Sequence, residues 1–277
     1  MNISQEEVKE LIRNKPYIIG HWLGFKDLTE LHNEWLISWL YGTDDETTQA
    51  HRGSYKTTDL ALFIALNMMI HRKENTIFLR KTDVDVTEVI RLVAKIIRSG
   101  AYIKLCQILY NITPQITRET ANEIQTNLYK GKGGASQLVG MGVNGSLTGK
   151  HADVIITDDI INIKDRISKA EREHTKLIYM ELQNVKNRGG RIINTGTPWH
   201  KDDAFTLMPN IKKYDCYTTG LMSDEQIMQL RQSMSPSLWS ANYELKHIAD
   251  EDALFTDAQF TKEQPMDGIA HIDAGYG

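Results

Sequence analysis

Between Leu60 and Ile70 every residue except Asn67 is apolar. A helix with apolar side chains on all sides has no face to offer water, so it must be covered all round. The run is too short to cross a bilayer, which leaves the interior of a folded domain. What precedes it narrows the choice. A short segment that can form a strand ends in Gln49-Ala50, and His51-Arg52-Gly53-Ser54-Tyr55-Lys56-Thr57-Thr58 leads from it into the apolar run. Strand, small-residue loop, Lys-Thr and buried helix is the layout of a phosphate-binding loop. There, backbone N–H groups and the helix N-terminus cradle phosphate, the lysine neutralises its charge and the hydroxyl holds Mg²⁺. The strict G-x-x-x-x-G-K-[ST] pattern would place glycine at Ala50 and Tyr55, where this chain has neither. On this stretch alone, a lysine that merely caps a turn before a core helix remains an alternative.

The 277 residues admit one α/β domain, or a domain with a small appendage. A net charge of −4 gives no global basic field, so any DNA contact has to come from local patches. Cys106 and Cys216 are far apart and form no C-x-x-C, which argues against zinc and a disulfide scaffold and suits a reducing cytoplasm. The first residues are polar and acidic, without the apolar core of a secretory leader.

Residues 1–40 read as helical, with Leu28, Leu31, Trp35 and Trp39 on one face. His32, Trp35 and the Gly24-Phe25 turn are candidates for framing an adenine base. Thr76-Ile77-Phe78-Leu79-Arg80 reads as a buried strand, Asp83–Ser99 as an amphipathic helix and Ala101–Leu109 as a further helix. Residues 116–143 are β-like and polar. The Tyr129–Gly134 insert, with two lysines, reads either as a solvated turn or as a loop that touches DNA. Asp153-Val154-Ile155-Ile156-Thr157-Asp158-Asp159 is an apolar strand ending in paired carboxylates, and its continuous apolarity implies a sheet covered on both faces. In phosphoryl transfer Asp158 would hold Mg²⁺ and Asp159 would orient the attacking water. Ser168-Lys169-Ala170-Glu171 has the capping-box pattern and opens a helix expected to reach about Asn187, ended by Arg188-Gly189-Gly190. Arg191–Thr195 is then a strand running into Gly196-Thr197-Pro198-Trp199-His200. Tyr214–Thr219 reads as strand-like, followed by two short helices beginning near Ser223 and Ser235.

Four stretches taken together, His51–Thr57, Val154–Asp159, Thr195-Gly196-Thr197-Pro198-Trp199 and Ile272-Asp273-Ala274-Gly275, resemble in order and spacing the large terminase subunit of tailed bacteriophages, a DNA-packaging motor. The resemblance implies an α/β P-loop NTPase of the RecA/ASCE type, with a mainly parallel sheet flanked by helices and a small helical lid or linker subdomain. It implies an ATPase core over 1–205, the helical subdomain over 206–249, a linker over 250–266 and the first strand of a truncated RNase H-like nuclease over 267–277. By resemblance, Arg52, Gly53, Ser54, Tyr55, Lys56, Thr57 and Thr58 bind ATP, Arg52 being the variant Walker A arginine. Thr57 and Asp158 hold Mg²⁺, and Asp159 stands where the family usually has glutamate. Thr195-Gly196-Thr197 couples phosphate state to movement. Asp273 would be the first divalent-metal ligand of the nuclease, whose other ligands fall outside these residues, so no DNA cleavage is expected of this chain. The family often carries an arginine upstream of Walker B that acts in trans. Lys150, Arg166 and Arg172 are the candidates here, and such a group is worth on the order of 10³–10⁵ in rate.

The implied partners are double-stranded DNA, the portal protein, the small terminase subunit and further copies in a ring, the isolated chain being monomeric. The implied setting is the cytoplasm of the infected bacterium, with no membrane and no place in the mature virion. A helicase-like translocase would need a second RecA-like domain, for which too few residues remain. A scaffold that binds nucleotide without hydrolysing it is the rival from another class, motivated by Tyr55 and Asp159.

Overall fold

The structure is a computed structural model that describes residues 3–247. The expected linker over 250–266, the expected strand over 267–277 and Asp273 lie outside the described residues. In chain order come α1 (Gln5–Asn14), α2 (Tyr17–Trp22), α3 (Glu30–Tyr41), β1 (Glu46–Ala50), α4 (Lys56–Ile70), β2 (Thr76–Arg80), α5 (Asp83–Ile97) and α6 (Gly100–Tyr110). Then follow β3 (Ile116–Glu119), β4 (Glu123–Thr126), β5 (Leu138–Gly142), β6 (Ala152–Asp158), α7 (Ile163–Ile167), α8 (Lys169–Val185) and β7 (Lys186–Gly196). A 3₁₀ turn at Ala204–Leu207, β8 (Ile211–Tyr214), α9 (Asp224–Gln232) and α10 (Pro236–Asn242) complete the described chain.

The eight strands form one sheet in the order β3-β4-β5-β2-β6-β7-β1-β8. All neighbours from β5 to β8 pair in parallel, and β3 and β4 add an antiparallel margin. The side-chain period of two divides the core between the faces. Phe78, Val154, Ile156 and Ile193 pack with residues of α3, α4, α5 and α6. Their neighbours Ile77, Leu79, Ile155 and Ile192 pack with Tyr179, Leu182 and Val185 of α8. This two-sided burial is why the strands are apolar without alternation. The central helix α4 lies inside the first layer, with Leu60 to Leu66 wholly buried.

Several boundaries differ from the sequence expectation. The helix α8 ends at Val185, and β7 starts at once with Lys186 opposite Ala152. Arg188-Gly189-Gly190 therefore lies within a register shift of the β6–β7 ladder, after which Val154 pairs with Arg191. The Ser168 hydroxyl accepts the Glu171 N–H at 3.3 Å. The other half of the expected capping box is replaced, because the Glu171 carboxylate pairs with Lys81 Nζ at 3.1 Å. The strand expected over Tyr214–Thr219 lies earlier, at Ile211–Tyr214, where it pairs with β1 in the main sheet. Asp215 instead turns the chain, accepting the N–H groups of Tyr217 and Thr218 on one carboxylate oxygen.

Candidate active site

Parallel pairing brings the C-terminal ends of β2, β6, β7 and β1 to one edge, side by side in that order. Open α/β sheets bind ligands at this edge. Arg80 closes β2, Asp158 closes β6, Thr195 and Gly196 close β7, and the loop His51–Tyr55 leaves β1 for α4. The strand β7, which follows β6 in sequence, is inserted between β6 and β1 in space. Lys56 and Thr57, the first residues of α4, thereby meet the paired carboxylates across an intervening strand.

Thr57 Oγ1 donates to Asp158 Oδ2 at 3.2 Å, and Thr195 Oγ1 donates to Asp158 Oδ1 at 2.7 Å. Lys56 Nζ lies 3.9 Å from Asp159 Oδ1. Burial pushes the Asp158 carboxyl above the usual carboxylate range and Asp159 adds to that, while Arg80, Lys56 and Thr195 pull it back. Asp159 adopts φ 49°, and its N–H donates to the Thr195 carbonyl at 3.1 Å. Gly196 is needed here by close approach: a β-carbon would lie 3.3 Å from Asp159 Oδ1 and 3.1 Å from Phe205 Cζ. Thr197 is buried just beyond.

The sequence reading missed Arg80. Its Nε lies 3.1 Å from Asp158 Oδ2 and its Nη2 lies 3.6 Å from Asp159 Oδ2, so one guanidinium spans both carboxylates. The available signal was a single charge at the C-terminal end of an apolar strand. Among the described residues no group of three or more His, Cys, Asp and Glu converges as a metal site. The donors that fit Mg²⁺ are hard oxygens at the start of α4, the Thr57 hydroxyl and the Asp158 carboxylate.

The loop itself is tightly held. Tyr55 takes φ 58° and ψ 16°, the left-handed conformation that glycine adopts without cost. Gly53 has φ 80° with open space where a β-carbon would stand. Arg52 donates from Nε to Asn242 Oδ1 at 2.8 Å and from its backbone N–H to the Asn242 carbonyl at 2.9 Å. Its guanidinium also lies over the Trp199 ring, 5.9 Å from the centroid. His51 is wholly buried, with Nε2 2.8 Å from Thr219 Oγ1. Two successive loop residues thus contact the segment 219–242. Of the adenine candidates, His32 and Trp35 are both buried: His32 reaches the Ser54 carbonyl, and Trp35 packs against Trp39 and Tyr214.

The three trans candidates are not gathered here. Arg172 is buried and donates to the carbonyls of Asp165 and Arg166. Arg166 donates to Ser237 Oγ at 2.6 Å, tying α7 to α10. Lys150 precedes β6, so the length of that strand, roughly 20 Å at ~3.3 Å per residue, separates it from Asp158. It stands at the opposite edge of the sheet, beside Gly149 and His151. Those two line a hollow of about 450 Å³ with Lys73, Tyr129 and Lys132.

No protein-family model matches the sequence, and no curated protein matches it. The structure, however, is similar to solved structures. One is the large terminase of the thermophilic bacteriophage D6E, at TM-score 0.51 and 9% identity over 76% of this chain and 52% of that one. Another is a mutant form of the ATPase domain of the Thermus phage P74-26 large terminase, at TM-score 0.53 and 12% identity over 84% of this chain and 97% of that one. The D6E protein has also been solved in complex with ATP-gamma-S, and that structure matches at TM-score 0.50 and 10% identity. The chain thus spans about half the length of the D6E large terminase and nearly all of the separate P74-26 ATPase domain. It has the P-loop NTPase fold of large-terminase ATPase domains, as the resemblance implied for the described residues.

Proposed function

We propose that this chain is the ATPase part of a viral DNA-packaging motor of the large-terminase kind, hydrolysing ATP to drive double-stranded DNA into a procapsid. The observation that carries the reading is the convergence of Lys56, Thr57, Asp158 and Asp159, with Thr57 donating to Asp158 across an inserted strand. In this reading the backbone of residues 52–58 and the start of α4 cradle the nucleotide phosphates. Lys56 neutralises charge on them. Thr57 and Asp158 would hold Mg²⁺, which supplies charge stabilisation on the transferred group when bound. Asp159 accepts a hydrogen bond from the attacking water and so orients it. Arg80 must release at least one carboxylate for this to happen, which makes it a positioning residue. The segment Thr195–Thr197, bonded to the Asp158 carboxylate and to the Asp159 N–H, and the Arg52–Asn242 clasp relay loss of the γ-phosphate to the helices beyond residue 219.

In the same reading, the partners are the portal, the small terminase subunit and further copies in a ring, acting in the host cytoplasm and left out of the virion. A neighbouring copy supplies a cation in trans. That Lys150 lies a strand's length from Asp158 supports a role in a neighbour's site rather than its own. A nuclease beginning near Asp273 would belong to the longer protein.

Magnesium-dependent ATP turnover, measured against protein concentration, tests the core of this. Turnover should rise faster than linearly and vanish in Asp158→Ala. Lys56→Ala should abolish it with the circular dichroism spectrum unchanged, and full turnover by a folded Lys56→Ala protein would refute the assignment. The scaffold reading has one specific observation in its favour, the guanidinium of Arg80 held across both carboxylates. Nucleotide binding without turnover in the assembled motor would select it.

A further inference from the structure

We propose that His32 is a positioning residue for the nucleotide loop: its imidazole holds the Ser54 carbonyl and thereby maintains the left-handed turn at Tyr55. The inference rests on the nucleotide-site reading above and extends it to a residue outside the loop.

A phosphate cradle needs a loop whose N–H groups point inward before nucleotide arrives. Glycine reaches the required turn freely. Tyrosine at φ 58° does not, and a bulky residue there costs on the order of 1–3 kcal/mol unless its surroundings impose the conformation. Tyr55 is also 42% exposed, so burial of its ring cannot be the main restraint. The Tyr55 carbonyl accepts the Asp59 N–H at 2.9 Å, which holds the side of the turn that enters α4, and the restraint on the other side lies on the residue before it. His32 Nε2 is 2.9 Å from the Ser54 carbonyl oxygen.

The tautomer is fixed by the other nitrogen. The Thr29 N–H donates to His32 Nδ1 at 2.9 Å, so Nδ1 is an acceptor and Nε2 carries the proton. The imidazole therefore joins the N-terminus of α3 to the carbonyl of Ser54 through two directed hydrogen bonds. The ring is wholly buried, its edge meets Trp35 at 5.1 Å and Tyr55 at 6.2 Å between centroids, and it has no room to swing away. A peptide group held at its carbonyl cannot rotate to relax the following φ. The substitution of tyrosine for the family's glycine and the histidine on α3 are thus two halves of one arrangement, in which rigidity imposed from outside replaces conformational freedom within.

The two hydrogen bonds can be separated by mutation. In His32→Asn, the side-chain oxygen takes the place of Nδ1 and keeps the cap of α3, but the amide falls short of Ser54. In His32→Gln, the amide reaches the place of Nε2 and can still donate to Ser54. His32→Asn should weaken binding of magnesium-ATP about fivefold, the worth of one hydrogen bond. His32→Gln should stay within twofold of wild type. In a Tyr55→Gly background the loop needs no external restraint, so the His32→Asn effect should shrink below about twofold. Additive effects of the two substitutions would overturn the proposal, because a merely structural histidine would cost the same in either background.

Hydrogen exchange of the 52–57 amides without nucleotide gives a second readout. His32→Asn should speed it and His32→Gln should not, while Tyr55→Gly alone should leave it dependent on His32 to a smaller degree. Unchanged exchange in His32→Asn would overturn the proposal whether or not the chain binds ATP. Wild-type protein that fails to bind ATP, with exchange behaving as stated, would count against the nucleotide site alone.

Discussion

Two buried charges on the same edge of the sheet meet opposite fates. Asp158 is hemmed in by Thr57, Thr195 and Arg80, whereas Asp59, one turn into α4, is wholly buried and neither of its carboxylate oxygens has a hydrogen-bond partner among the described residues. Burial alone raises the Asp59 carboxyl well above the usual carboxylate range. A raised folded-state value means that the folded chain binds the proton more tightly than the unfolded chain, so Asp59 costs stability above about pH 4 and the cost grows as pH rises. Asp59→Asn should therefore raise the urea midpoint at pH 8, and the gain should fade as pH is lowered towards 4. A gain that is the same at both pH values would show that folding does not shift the Asp59 carboxyl. Arg80 works the other way. Removing it by Arg80→Met leaves Asp158 buried beside Asp159 without its main counter-charge, and should cost about 3 kcal/mol by chemical denaturation. Adding Asp158→Asn should return much of that loss.

At the level of elements, the site depends on how closely the end of β7 approaches the end of β6. Thr195 lies directly opposite Asp158 in the parallel ladder, and the next residue, Gly196, leaves just enough room for the Asp159 carboxylate and the Phe205 ring. Gly196→Ala would press its methyl group on both, and the carboxylate is the part free to move. If Asp159 orients the attacking water as proposed, displacing it by a few tenths of an ångström should lower turnover about tenfold with nucleotide affinity little changed. Loss of affinity equal to the loss of turnover would mean that the strand end, rather than the carboxylate, has yielded. The other elements at this edge are tied by polar side chains. Lys81 Nζ, just past β2, bonds Asp165 Oδ2 at 2.9 Å and Thr175 Oγ1 at 3.0 Å, fastening α7 and α8 to the sheet. Arg52 and His51 do the same for the segment leading to α10. A change at the loop His51–Tyr55 therefore has a direct polar route to the segment 219–242.

On the scale of the whole molecule, the two edges of the sheet differ in character. One gathers Lys56, Arg80, Asp158 and Asp159; the other carries Lys73, Lys132 and His151 around an open hollow, with Lys150 next to His151 in the chain. If Lys150 completes a neighbour's site, Lys150→Ala and Lys56→Ala proteins should each be inactive alone and should regain turnover on mixing, since one copy then supplies an intact loop and the other an intact lysine. Failure of the mixture to recover, with both variants folded, would remove Lys150 as the group supplied in trans.

The sequence by itself determined the class of fold and the strand ends that matter. An all-apolar run behind a Lys-Thr pair and an apolar strand ending in two carboxylates can be buried only in a sheet covered on both faces, and Lys56, Thr57, Asp158 and Thr195 were legible because each stands at an end of such a segment. Helix and strand type followed from local periodicity for the same reason. What only the tertiary structure decided is adjacency. No local signal orders the strands, so the insertion of β7 between β6 and β1 was implied only through the resemblance to an ASCE-type fold, and Arg80, whose role exists only because β2 lies beside β6, was not readable at all. His32 sits on a helix 22 residues before the carbonyl it holds, and its spacing marks a packed face and nothing more. Side-chain periodicity reports which face is buried; which partner waits there is fixed by contacts between segments distant in the chain.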